Sequence, residues 1–343
     1  MQRTEHKTKK AIAFGEVLLR LSTKNHLKFS QVDQFNADYG GSELNVLSSL
    51  ATFGMDTEFI SRLPDNDIGT CALMQMRKQN VCTDHMLRGG DRLGIYFLEN
   101  GASIRGSKVV YDRAFSSFAT IKKGMVPWET VFAEASWFHW SGITAGISQD
   151  AADVCMQGIE VAKKMGLTVS TDFNYRANLW KYGKSPQEIM EPMVAQCDVI
   201  LAGDYASEKY FGIVTNGETD TDRHWSLCTQ LSKRFPDVQK IAVTNRGNIS
   251  ASHNTWSAVI YDGSELYASP VYDITFIVDR IGAGDSFMGA LIYGLNHFDD
   301  QKALDFAVAA SCLKHTVYGD ANLVSKEEVF NLMEGDRSGR VRR

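Results

Sequence analysis

From about residue 10 the chain alternates short apolar, strand-like runs with longer amphipathic ones, and few folds accept that rhythm. The clearest unit reads "ASWFHWSGI" as a strand, "QDAADVCMQGIEVAKKMG" as a helix closed by Gly166, and "LTVSTDF" as the next strand. Earlier, "KAIAFGEVLLRLS" is β-rich. The helix "SELNVLSSLATFG" follows it, with Leu44, Leu47, Leu50 and Ala51 on one face and Gly54 as its stop. "TEFISRL" reads as a strand and "DNDIGTCALMQMRKQN" as a helix capped by Asp65, Asn66 or Asp67. Ser185 and Pro186 open the helix "SPQEIMEPMVAQ", which leads into the strand "CDVILAG"; "VQKIAVTN" is another strand after a helix. This alternation indicates the α/β class, with a mostly parallel central sheet covered by helices on both faces.

Two stretches, about 15–40 and 90–118, break the rhythm with β-like text and no helix between. In the second, Glu99-Asn100-Gly101 reads as a hairpin turn. They form either edge strands or a small β lid that supplies side chains to a ligand. A further hairpin turns at Asp262-Gly263. With no repeat and no linker, the expectation is one domain over 1–330 with lid strands, then a polar, basic tail over 331–343.

Composition excludes several classes of function. A formal net charge of −5 over 343 residues gives no general electrostatic case for nucleic acid. No run reaches the length of a membrane span, and the apolar run after "MQRTEHKTKK" is broken by Glu16 and Arg20, which argues against a signal peptide. The six cysteines form no C-x-x-C pair, so reduced thiols and a cytoplasmic location are expected. No histidine spacing suits a transition metal, and His139 reads as a satisfied core residue.

The chemistry concentrates in "DRIGAGDSFMGALIYGL". Gly282, Ala283 and Gly284 carry almost no side chain, and Phe287, Ala290, Leu291 and Leu295 recur at helical spacing directly after them. The turn therefore sits at a helix N-terminus, where unpaired amides and the helix dipole favour an anion. Two roles fit Asp285: it caps the helix, or it takes a proton from a nucleophile while the amides hold the charge of a transferring group. The stretch by itself leaves both open.

Together with the earlier block "YGGSELNVLSSLATFG", placed about 240 residues upstream, this motif makes the chain resemble the ribokinase-like (PfkB) carbohydrate kinases along nearly its whole length. Within that family it is most similar to 2-keto-3-deoxygluconate kinases, through "GIYFLENG", "VVYDRAFSSFA", "WFHWSGIT", "DFNYRANLW", "IVDRIGAGDSF" and "LKHTVYGDANLVS". The resemblance implies that Gly40, Gly41 and Asn45 line a sugar site, that Tyr96, Tyr111 and Arg113 reach in from the lid, and that Arg176 helps hold the acid. Guanidinium groups suit a carboxylate because they offer two parallel hydrogen bonds. By the same resemblance Asp285 is the base that deprotonates the C6 hydroxyl as it attacks the γ-phosphate of ATP, and the amides of Gly282, Ala283 and Gly284 stabilise the phosphoryl oxygens.

The nucleotide is expected at the C-terminal ends of the strands. Its implied contacts are Thr244, Arg246 and Gly247 from "TNRGN", with Ala309 and Cys312 from the late helix. The implied cofactors are ATP and Mg2+, and a homo-oligomer is expected because lid-bearing relatives often pair.

The chain departs from the family pattern in two places. An acidic motif associated with magnesium is replaced by "GDYASEKYFG", where Asp204 stands for the usual asparagine and Ser207 for the acid. Asp204, acting through water, is the remaining metal candidate. Asp112 and Phe115 stand where a tyrosine and a small residue are more usual, which would reshape the pocket or add negative charge to it. The rival readings are a kinase for a neutral sugar such as fructose or ribose, and a catalytically weak sugar-binding protein on the same fold. A dinucleotide oxidoreductase fails, because the turn comes late and lacks the third glycine.

Overall fold

The computed structural model describes residues 10–336. The charged start of the chain, 1–9, and the end of the basic tail, 337–343, lie outside the described residues. The first half of the chain runs β1 (Lys10–Phe14), β2 (Leu18–Ser22), β3 (Asn36–Gly40), α1 (Ser42–Thr52), β4 (Thr57–Ile60), β5 (Arg62–Leu63), α2 (Asp67–Lys78), β6 (Leu87–Arg88), β7 (Gly94–Glu99), β8 (Lys108–Asp112), α3 (Trp128–Val131), β9 (Ala135–Ser141), α4 (Gly142–Ile147), α5 (Gln149–Lys164) and β10 (Thr168–Asp172). The second half runs α6 (Pro186–Val194), β11 (Val199–Ala202), α7 (Asp204–Phe211), α8 (Asp220–Arg234), β12 (Lys240–Asn248), β13 (Asn254–Tyr261), β14 (Leu266–Ala268), β15 (Tyr272–Ile274), α9 (Ala283–His297), α10 (Asp300–Lys314) and α11 (Lys326–Met333).

Six strands, in the order β4-β1-β9-β10-β11-β12, pair in parallel, and β13 with β14 and β15 adds an antiparallel edge. Alternation along β1 shows how two layers of helix are fixed. Ala11 and Ala13 join the core built with α1, α9 and α10, whereas Ile12 and Phe14 join the core built with α5, α6 and α8. A sheet with apolar side chains on both faces is stable only when both are covered. The expected α/β architecture is therefore present, and its lid is a separate four-stranded sheet, β3-β2-β7-β8.

Local signals set the element ends. Asn66 caps α2 by accepting from the Gly69 amide, and Ser185 caps α6 in a reciprocal box with Glu188. Other boundaries move. "TEFISRL" splits at Ser61 because β4 joins the main sheet while β5 leaves it to pair with β6. The hairpin at Glu99-Asn100-Gly101 opens into a loop that returns only at Lys108. A short helix, α4, intervenes between β9 and α5, capped by Ser141. At the far end α11 continues to Met333, past the 330 boundary, because a Ser325–Glu328 capping box starts it late.

Candidate active site

The site begins with the packing of α1 against α9. Gly289 lets the two helices meet, since a Cβ there would lie 2.6 Å from the Val46 carbonyl oxygen. That approach brings the first turn of α9 beside the first turn of α1. Ser42 Oγ donates to one Asp285 oxygen at 2.9 Å and Asn45 Nδ2 to the other at 2.7 Å. Asn174, after β10, donates to Ser42 Oγ at 3.0 Å and extends the row.

The N-cap of α9 is Gly282, not Asp285, and the capping role for Asp285 is thereby excluded. Gly282 has φ +79°, and a Cβ on it would lie 1.9 Å from the Asp320 carbonyl oxygen. Only glycine fits that turn. The first α9 amide with a backbone partner is that of Ser286, which donates to the Gly282 carbonyl at 2.8 Å. The α9 amides before it have no backbone partner among the described residues, the arrangement that suits an anion at a helix N-terminus.

A cleft of about 510 Å³ opens in front of this turn, between the lid and the C-terminal ends of the strands. Most of the residues expected at the site meet there: Gly40, Gly41, Asn45, Tyr96, Tyr111, Arg113, Arg176, Thr244, Arg246, Gly282, Ala283, Gly284 and Asp285. Gly40 and Gly41 allow close approach, since side chains there would strike the Asp320 carboxylate and the Glu16 carbonyl. Gly247, Ala309 and Cys312 do not line the cleft. Gly247 sits opposite Thr255 in the β12–β13 ladder, Ala309 is fully buried in the core, and Cys312 packs against that core. Asp204 is the exposed first residue of α7 and is also outside the cleft.

The lid side carries a buried charge network that spacing in the sequence did not signal. Arg20 in β2 donates to Asp279 and Asp320, and Tyr96 Oη donates to Asp320 at 2.6 Å. All four are almost fully buried. The lid's own apolar cluster of Leu18, Tyr96 and Leu98 packs against Ile281, so the lid is fastened directly to the glycine turn. Arg113 donates through Nε and Nη2 to Glu16, which also accepts from Ser116 Oγ. Asp112 is exposed and paired with Arg92 at 2.8 Å, so it adds no charge to the cleft, and Phe115 is exposed beside an adjoining hollow.

Burial sets the acidities. It raises Asp285 to about 6, opposed by the hydrogen bonds from Asn45 and Ser42. A carboxylate at about 6 is roughly nine-tenths ionised at pH 7 yet basic enough to accept a proton. Asp172, at the end of β10 in the same cleft, is raised to about 7, first by burial and then by the charge of Asp285. Glu43 is buried beneath the site, raised by burial, and accepts from Ser141 Oγ at 2.6 Å and Thr144 Oγ1 at 2.7 Å. His139 is only half satisfied: Nδ1 meets Ser170 Oγ at 2.9 Å, while Nε2 has no partner and burial lowers the ring to about 3. A neutral core histidine results.

A profile of the pfkB family carbohydrate kinases matches residues 8–327. The chain belongs to the PfkB family of carbohydrate kinases. The fold of this PfkB chain matches that of 2-dehydro-3-deoxygluconokinase from Thermotoga maritima, with a TM-score of 0.91 and 42% identity over 95% of this chain and 100% of that one. A 2-dehydro-3-deoxygalactonokinase of Haloferax volcanii is 28% identical over 97% of this chain and 99% of its own length. A fructokinase from Xylella fastidiosa, solved with bound ATP, shares the fold at a TM-score of 0.77 and 20% identity, over 95% of this chain and 98% of its own.

The PfkB turn and the Gly-Gly block were legible in the sequence, but Ser42, Asp172, Asn174, Asp279, Asp320 and Arg20 were not singled out. Asp172, Asn174 and Asp320 lie inside stretches that carry the resemblance, "DFNYRANLW" and "LKHTVYGDANLVS", and could have been found there. Among the described residues no three His, Cys, Asp or Glu side chains converge as a metal site, and no helix is long and apolar enough to cross a membrane.

Proposed function

We propose that this PfkB kinase transfers the γ-phosphoryl group of ATP to the terminal C6 hydroxyl of 2-keto-3-deoxygluconate. The observation that carries the reading is the position of the Asp285 carboxylate, aimed by Ser42 and Asn45 between a lidded sugar pocket and an amide-lined turn. The hydroxyl oxygen bonds to the γ-phosphorus and its proton passes to Asp285. The bond to the β–γ bridging oxygen breaks, leaving its electron pair on ADP, and the amides of the turn stabilise the oxygens that gain charge.

The acid substrate is favoured by Arg176, which lines the cleft, donates to the Tyr175 carbonyl at 3.2 Å and makes no ion pair within 4 Å among the described residues, though its charge is felt by Asp172. Arg113 is committed to Glu16 through two of its nitrogens, so its remaining Nη1 edge offers only part of a clamp. Magnesium fits as a counter-ion carried on the nucleotide phosphates and mostly hydrated, since among the described residues no three His, Cys, Asp or Glu side chains converge to hold it. It would neutralise phosphate charge there. Asp204, exposed at the start of α7 and outside the cleft, would have to reach such an ion through water.

Strand β8 is exposed along its whole length and carries Val109, Val110 and Tyr111, which supports a homo-oligomer paired through the lid. The reading implies a cytoplasmic enzyme, since ATP is its co-substrate.

The test is ATP-dependent ADP release with 2-keto-3-deoxygluconate, its galactonate epimer, fructose and ribose, beside an Asp285→Asn control. Turnover confined to the keto acids supports the reading. Turnover on fructose or ribose instead keeps the kinase and overturns the substrate.

A further inference from the structure

Two arginines on the nucleotide side of the cleft face it without a counter-charge. Arg246, on β12, sits over the ring of Trp256 at 4.9 Å from its centroid, and its Nε is buried without a hydrogen-bond partner. Arg280, immediately before Ile281 and the Gly282 cap, donates through Nη2 to the carbonyls of Ala251 at 2.8 Å and Ser250 at 3.4 Å. Neither makes an ion pair among the described residues, and both line the cavity that contains Asp285. Burial lowers the proton affinity of both, and for Arg246 the neighbouring charge of Arg280 lowers it further, to about 10. Two like charges held in a half-buried cleft cost the free protein stability, and a polyanion removes that cost.

The positions of the two differ. Arg246 is braced from behind by Trp256 and stands on a neighbouring strand. Arg280 is part of the segment that forms the anion-holding turn. We propose that Arg280 is a catalytic residue that binds the phosphoryl group during transfer, while Arg246 holds the phosphates that remain on ADP. This rests on the ATP-dependent transfer proposed above. As the acceptor oxygen bonds to the γ-phosphorus and the bridging bond breaks, charge spreads over the equatorial oxygens and the leaving oxygen of ADP. A planar guanidinium beside the amides of Ala283 and Gly284 matches two of those oxygens at once.

The test compares Arg280→Met and Arg280→Lys with the unaltered chain, in steady-state kinetics on the keto acid and in calorimetric titrations with ADP alone and with ADP plus aluminium fluoride. Arg280→Met is expected to lower kcat by about 10²- to 10³-fold, with the sugar KM within about threefold, and to erase the affinity gained on adding fluoroaluminate. Arg280→Lys keeps the charge and loses the fork, so its kcat is expected to fall between the two. If Arg280→Met does not fold, as thermal melting will show, a roughly tenfold loss of kcat in the folded lysine variant supports the proposal. An unchanged kcat in either folded variant overturns it, as does a loss confined to the sugar KM, which would make Arg280 a reader of the sugar. The titrations need no sugar. A chain that phosphorylates none of the sugars overturns the substrate reading, and the role of Arg280 is then decided by whether Arg280→Met removes the fluoroaluminate gain.

Discussion

The lid side and the nucleotide side of the cleft both concentrate charge, but they hold it differently. On the lid side the buried arginines are paired within the chain: Arg20 with Asp279 and Asp320, and Arg113 with Glu16. On the opposite side neither Arg246 nor Arg280 makes an ion pair among the described residues, Arg280 meeting only backbone carbonyls, and the amides at the start of α9 precede the first one with a backbone partner. A charge already neutralised holds structure in place, whereas one left unpaired in a half-buried site is complementary to something that arrives. On this contrast rests the proposal that the lid network positions and the opposite wall binds.

The largest expected effect lies where the two sides meet. Asp285→Asn keeps the hydrogen-bonding shape but removes the base, so kcat should fall by about 10²- to 10⁴-fold with substrate KM values little changed. A chain that loses sugar affinity instead would place Asp285 with the binding wall. Next is Arg20→Met, which strands two buried carboxylates. Unfolding in denaturant should show a loss of about 3–5 kcal/mol, and a loss below about 1 kcal/mol would break the distinction between positioning and binding charges.

The pH profile sharpens the same point. As the proposed base, Asp285 has to be ionised to act; burial raises it to about 6, above the ordinary carboxylate value, so its protonated form gains as pH falls. The quantity kcat/KM should be flat near pH 7 to 8 and drop about tenfold per unit below pH about 6. A profile level down to pH 4 would show that burial does not control this carboxyl. The smallest expected change in stability is that of Arg246→Met. Removing an unpaired buried cation relieves its desolvation and loses only a ring contact, so unfolding should shift by less than about 1 kcal/mol. The same variant should raise the KM for ATP by about 10- to 100-fold.

Much of the framework was legible because local physics sets it. The strand–helix rhythm predicted the layered sheet, the cap at Ser185 followed from residue type, and that of α2 was narrowed to three residues of which Asn66 serves. Gly282 was legible because a glycine before an apolar helical face has few other uses, and the turn requires its positive φ. Arg113 was only half legible. Its place in the cleft followed from the motif, but its pairing with Glu16, 97 residues earlier, did not. Ala309 and Cys312, expected at the nucleotide, show the limit of helical periodicity, which cannot say which face of α10 turns inward; Ala309 turns into the core.

The sequence alone therefore determined the elements, their order and the chemistry of the glycine turn, because propensity, capping and hydrophobic period act over a few residues. Tertiary structure alone decided which charges were neutralised. Arg20 and Asp320 are 300 residues apart and meet only where the lid packs on the C-terminal loop, and among the described residues no partner is folded against the Arg246 Nε. Whether a charged side chain holds the fold or waits for a ligand depends on what surrounds it in space.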